Sequence, residues 1–146
     1  MASTKVEFHT QAPDKLLYAC RLLRKAAASG TRVQVPADED TLRQFDQLLW
    51  TFSNIDFVPH CLQDAPAQML ENSPILLTPQ PQADATRAIL LNLGSGVAEG
   101  FEQFDRIIEI VCEDGDDKLQ ARNRWKRYAG AGCDMSSRNL QTQTPR

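Results

Sequence analysis

The run Arg87-Ala-Ile-Leu-Leu-Asn-Leu93 constrains the fold more than any other stretch. It is strand-length, and it is apolar at nearly every position. A strand with one wet face alternates polar and apolar residues, whereas a near-continuous apolar run belongs to a strand covered on both faces. Covering both faces takes helices above and below. The run therefore predicts a three-layer α/β chain with a central, mostly parallel sheet. Arg106-Ile-Ile-Glu-Ile-Val111 reads as a second strong strand, and Pro74-Ile-Leu-Leu-Thr78 as a short one bounded by proline.

The N-terminal third supplies the helices. Thr4-Lys-Val-Glu-Phe-His9 alternates like a half-buried strand. Pro13-Asp14 then opens a helical pattern whose stripe is Leu16, Cys20, Leu23 and Ala27, and Gly30 stands where a helix stops. Arg32-Val-Gln-Val-Pro36 follows as a strand. Strand, helix, glycine and strand predict a βαβ unit: a parallel pair with a right-handed crossover. Asp38 is placed to cap a second helix, with Leu42, Phe45, Leu49 and Phe52 as its stripe and Trp50 off that stripe. Ser53 to His60 reads as loop, and Cys61 to Ser73 is poorly patterned. From Gly130 onward polar and small residues dominate, so residues 1–133 are expected to form one domain and residues 134–146 a flexible tail.

Several function classes fall away. At 146 residues the chain can bury a core without staples. No apolar run approaches membrane-spanning length and the N-terminus lacks signal-peptide features, so a cytoplasmic protein is expected. Four scattered cysteines without a CxxC pair fit reduced thiols better than disulfides or a zinc site, and no metal or cofactor is expected. Gly94-Ser-Gly96 with Gly100 has no lysine placed to reach a phosphate, and the first strand–helix turn carries no glycine fingerprint. The fold is thus Rossmann-like without a nucleotide site. His60-Cys61 are adjacent, and adjacent side chains rarely share a proton. With only two histidines in the chain, no catalytic residues are assigned.

Charge singles out one segment. The chain is formally −3, yet Lys118 to Tyr128 carries five cations and no acid, which leaves −8 for the remainder. Acidic residues at 113–117 oppose the positive end of the helix dipole. On a helical projection Ala121, Trp125 and Tyr128 face inward. Lys118, Arg122 and Lys126 form a ridge along one flank, Arg124 lies on the other, and Asn123 and Arg127 face water. Such a helix is either simply solvated, with snorkelling cationic stems, or an anion site. The anion would be single-stranded nucleic acid, held by stacking and phosphate contacts, or an acidic peptide with a hydrophobic end. A second segment has two readings of its own. Trp50, Phe52, Ile55, Phe57 and Val58 crowd a helix end and its loop, as core or as a partner-binding patch.

Leu49-Trp-Thr-Phe-Ser-Asn-Ile-Asp-Phe-Val-Pro-His60 and Ala121-Arg-Asn-Arg-Trp-Lys-Arg-Tyr128 together resemble the chi subunit family of bacterial DNA polymerase III holoenzyme. The order of elements matches to about residue 133. The resemblance implies a non-catalytic accessory subunit of the clamp-loader assembly in DNA replication. It implies two partners: the psi subunit, and the acidic C-terminal tail of single-stranded-DNA-binding protein, which ends in a hydrophobic residue and a free carboxylate. Carried over by position, the tail site is Val111, Lys118, Arg122, Trp125 and Lys126, with Trp125 standing where the family often has tyrosine. The psi contact falls on Trp50, Phe57 and Pro59, and a replication- or repair-associated helicase could occupy the same patch. Contact with single-stranded DNA would then be indirect. The competing reading is a module that binds single-stranded nucleic acid directly through helix 118–128.

Overall fold

The computed structural model describes residues 3–53, 58–82 and 88–141. Seven strands form one sheet: β1 (Lys5–Ala12), β2 (Val33–Val35), β3 (His60–Leu62), β4 (Ile75–Leu77), β5 (Ile89–Asn92), β6 (Arg106–Cys112) and β7 (Asp134–Asn139). Their order is β3-β4-β2-β5-β6-β1-β7, and every pairing is parallel. Helices α1 (Lys15–Ala28), α2 (Glu39–Thr51), α3 (Ala67–Asn72) and α4 (Gly115–Gly130) connect them, with one 3₁₀ turn at Phe101–Gln103.

Both faces are covered, as the apolar runs require. Ala19, Cys20 and Leu23 of α1 and Leu42, Phe45 and Leu49 of α2 bury against Val33, Val35, Ile75, Leu77, Leu91 and Ile110. On the opposite face, Ala121 and Tyr128 of α4 and Phe101 and Phe104 pack on Val6, Phe8, Leu90, Ile107 and Val111. Strand β6 shows the division: Ile108 and Ile110 face α1 and α2, while Ile107 and Val111 face α4. Capping follows the sequence. Asp14, Asp38 and Asp114 accept from the backbone N–H three residues on, at 3.1, 3.1 and 3.2 Å. Gly30 ends α1 with φ +77°, where Gly30 N donates to Ala27 O and Thr31 N to Ala26 O, the paired bonds of a Schellman stop.

Three expectations need correction. β1 and β2 lie parallel in one sheet but are not neighbours, since β5 and β6 stand between them. Strand length accounts for this: the eight-residue β1 would leave most of its ladder unpaired beside the three-residue β2, whereas the seven-residue β6 matches it. Residues 61–73 are not irregular: His60, Cys61 and Leu62 form edge strand β3 and Ala67–Asn72 form α3. The expected tail holds strand β7, in register with β1 from Lys5↔Asp134 to Thr10↔Asn139; residues 142–146 lie outside the described residues.

Candidate functional site

Helix α4 is rolled differently from its apolar pattern. Its buried residues are Ala121, Arg124 and Tyr128, and Trp125 is 36% exposed. Arg124, read from the pattern as a flank residue, is only 2% exposed. The cause is Glu109 on β6, fully buried on the α4-facing side between Ile107 and Val111. Arg124 Nε donates to Glu109 Oε1 at 2.9 Å, Tyr128 O–H to Oε2 at 2.5 Å and Asn92 Nδ2 to Oε2 at 2.8 Å. Arg124 Nη1 reaches Ser95 O at 2.9 Å, and Asn92 Nδ2 also reaches Gly96 O at 3.0 Å, which ties the 94–96 turn to α4. Burial pushes the Glu109 carboxyl above the usual carboxylate range, against the pull of Arg124 and the two neutral donors. Burial and the adjacent carboxylate also push the Tyr128 hydroxyl up.

That roll places the next residues. With Ala121, Arg124 and Tyr128 inward, Trp125 stands about 70° from the centre of the buried face, Lys118 about 90° and Arg122 about 130°. They form a ramp from core to solvent. The ramp is one wall of a groove of about 390 Å³ that also takes in Val111 of β6, Phe8, Thr10 and Gln11 of β1, and Ser137 of β7. Trp125 leans on Phe8, with ring centroids 5.1 Å apart. The start of α4 is pinned: Lys15 Nζ meets Asp117 Oδ1 at 3.1 Å, and Cys112 N donates to Asp117 Oδ2 at 2.9 Å. Although burial works against it, those two donors hold the Asp117 carboxyl below its ordinary value. Lys118, Arg122 and Lys126 have no carboxylate partner among the described residues. The groove therefore joins an apolar, aromatic floor to unneutralised cations. Val111, Lys118, Arg122 and Trp125 all line it; Lys126 does not, and sits exposed one turn beyond Arg122.

Sequence reasoning missed Glu109, although a lone acid inside Ile107-Ile-Glu-Ile-Val111 was a signal. By period two it falls on an inward face, and a buried carboxylate needs a donor set. It also missed Phe8, Thr10, Gln11 and Ser137, whose strands meet α4 only in the folded chain.

The second segment divides. Val58 is core, Phe52 and Pro59 are half-buried, and Trp50 is 56% exposed at the end of α2. The Trp50 ring meets His60 edge to face at 5.2 Å. His60 is itself fixed by Asp46 Oδ1 at 2.9 Å from Nε2 and by Val58 O at 2.6 Å from Nδ1. Ile55 and Phe57 lie outside the described residues. His60 and Cys61 do not pair: both imidazole nitrogens face other atoms, and the thiol points to Met69 O.

Among the described residues no group of three or more His, Cys, Asp or Glu is arranged to hold a metal, and no helix is long and apolar enough to cross a membrane. What stands out is a parallel α/β domain bearing an aromatic and cationic groove at one sheet edge and an exposed tryptophan near the other. Both are surface features, a groove and an exposed ring. The chain belongs to the family described as DNA polymerase III chi subunit, HolC, whose model matches residues 3–136. It is 28% identical over 142 residues to DNA polymerase III subunit chi of Pseudomonas aeruginosa, covering 94% of this chain and 97% of that one. The chi subunits of Haemophilus influenzae and Escherichia coli are each 28% identical, over 124 and 120 residues. These matches cover 84% and 81% of this chain, and 85% and 80% of the respective relatives.

Proposed function

We propose that this chi-family chain is a non-catalytic adaptor that joins the polymerase clamp-loader assembly to the acidic C-terminal tail of single-stranded-DNA-binding protein. The observation that carries the reading is the groove, where an apolar floor meets cations that have no carboxylate partner among the described residues. A long phosphate track asks for more cations than this short ridge of three, whereas a peptide ending in a hydrophobic residue and a carboxylate asks for a cation beside an apolar pocket. Arg122 grips the terminal carboxylate, since its planar fork suits two parallel hydrogen bonds. Val111 and Trp125 hold the terminal apolar side chain. Lys118 and, from the outer rim, Lys126 attract the preceding acidic residues. The exposed Trp50, with Pro59 and, in sequence, Phe57, takes the holoenzyme partner: psi, or a helicase at the same patch.

Calorimetric titration with a tail peptide, the same peptide lacking its last residue, and an oligonucleotide of equal charge tests the groove. The full peptide binds tightest at physiological salt and the shortened one does not bind. Arg122→Ala weakens the full peptide by about 2–3 kcal/mol, roughly 30- to 150-fold. An oligonucleotide that binds more tightly than the peptide would instead make this a nucleic-acid module.

A further inference from the structure

The far end of β1 carries a bulge. Its register with β6 runs from Lys5↔Arg106 to His9↔Ile110 and resumes at Ala12↔Cys112, so Thr10 and Gln11 together oppose Val111. Gln11 is the one non-glycine residue with positive φ among the described residues, at +61°. The extra residue changes which way the strand points its side chains. With regular alternation from Phe8, Gln11 would face α1 and α2 and Ala12 would face α4. Instead Ala12 is buried in the α1–α2 core, and both Thr10 and Gln11 line the groove.

A left-handed glutamine is unfavourable unless its surroundings impose it. Here they do: Gln141 Nε2 donates to Gln11 O at 3.0 Å and Leu140 N donates to Thr10 O at 2.9 Å. Yet the Gln11 carboxamide makes no hydrogen bond within the chain among the described residues. The fold thus turns a donor–acceptor group into the groove and leaves it unused.

We infer that Gln11 is a specificity-determining residue of the groove, and that its carboxamide hydrogen-bonds the main chain of an extended acidic peptide lying between α4 and β1. This rests on the proposed peptide-binding role of the groove. Lys118, Arg122 and Lys126 attract phosphate and carboxylate alike. A neutral group with both an N–H donor and a C=O acceptor matches a peptide unit, and phosphate offers it no donor. Gln11 is therefore what tips the site from anions in general toward peptides.

The test is Gln11→Gly in the full chain, titrated with the tail peptide and with an equally charged oligonucleotide. Glycine takes φ +61° without strain, so the melting temperature is unchanged or higher. The peptide binds about five- to tenfold more weakly and the oligonucleotide as before. Peptide binding equal to wild type would overturn the role of Gln11 alone, as would an equal loss for both ligands, which would mean a damaged groove. A wild-type chain that ignores the peptide would overturn the groove reading as well.

Discussion

Glu109 sets the roll of α4 from inside the protein. Its carboxylate is fully buried and takes donors from Arg124, Tyr128 and Asn92. Such a pair is weak evidence for stability but costly to break on one side. Arg124→Met should destabilise the fold by about 3–5 kcal/mol in denaturant unfolding, because Glu109 is left without its cation. Replacing both, as Glu109→Leu with Arg124→Met, should return most of that loss. If the single variant unfolds like wild type, the pair does not position the helix. This residue also marks the limit of what the sequence could tell. The ridge of Lys118 and Arg122 was legible from helical spacing. The inward place of Arg124 was not, because its partner lies fifteen positions earlier on another element and charge pairing leaves no periodic trace.

Helices and buried strands were legible where a period or a cap existed: the α1 stripe with its Gly30 stop, the Asp38 cap of α2, and the apolar runs of β5 and β6. β7 was not, because Asp134-Met-Ser-Ser-Arg-Asn139 has no strand pattern and is almost wholly exposed. Its conformation comes from β1, whose free edge offers it six paired positions. The order of strands was hidden for a related reason, since it depends on matching ladder lengths between segments far apart in sequence. Deleting residues 134–146 therefore removes more than a tail. It strips one edge of β1, the Ser137 side of the groove and the Gln141 brace on Gln11. The melting temperature should fall by several degrees, since about 1–2 kcal/mol corresponds to that in a domain of this size. Tail-peptide affinity should fall with it. A truncated chain that melts and binds like the full one would show that β7 contributes nothing to either.

At the scale of the molecule, the sheet separates the two candidate surfaces. His60, on which Trp50 rests, belongs to edge strand β3, and the groove adjoins β7 at the opposite edge. At about 4.8 Å per strand the two surfaces are roughly 25–30 Å apart. On the proposed function, surfaces so separated would bind independently and hold two partners at once. The net charge of −3, despite the cationic helix, suits the same role, since the remainder of the surface disfavours extended contact with nucleic acid. The proposed adaptor joins two partners through separate surfaces. The direct measurement is a pull-down from native cell extract with wild type, Trp50→Ala and Arg122→Ala side by side, with the retained proteins identified by mass spectrometry. Wild type should retain both polymerase holoenzyme subunits and single-stranded-DNA-binding protein. Trp50→Ala should lose only the holoenzyme subunits, and Arg122→Ala only the single-stranded-DNA-binding protein. Loss of both partners by either folded variant, or of neither by both, would contradict the claim.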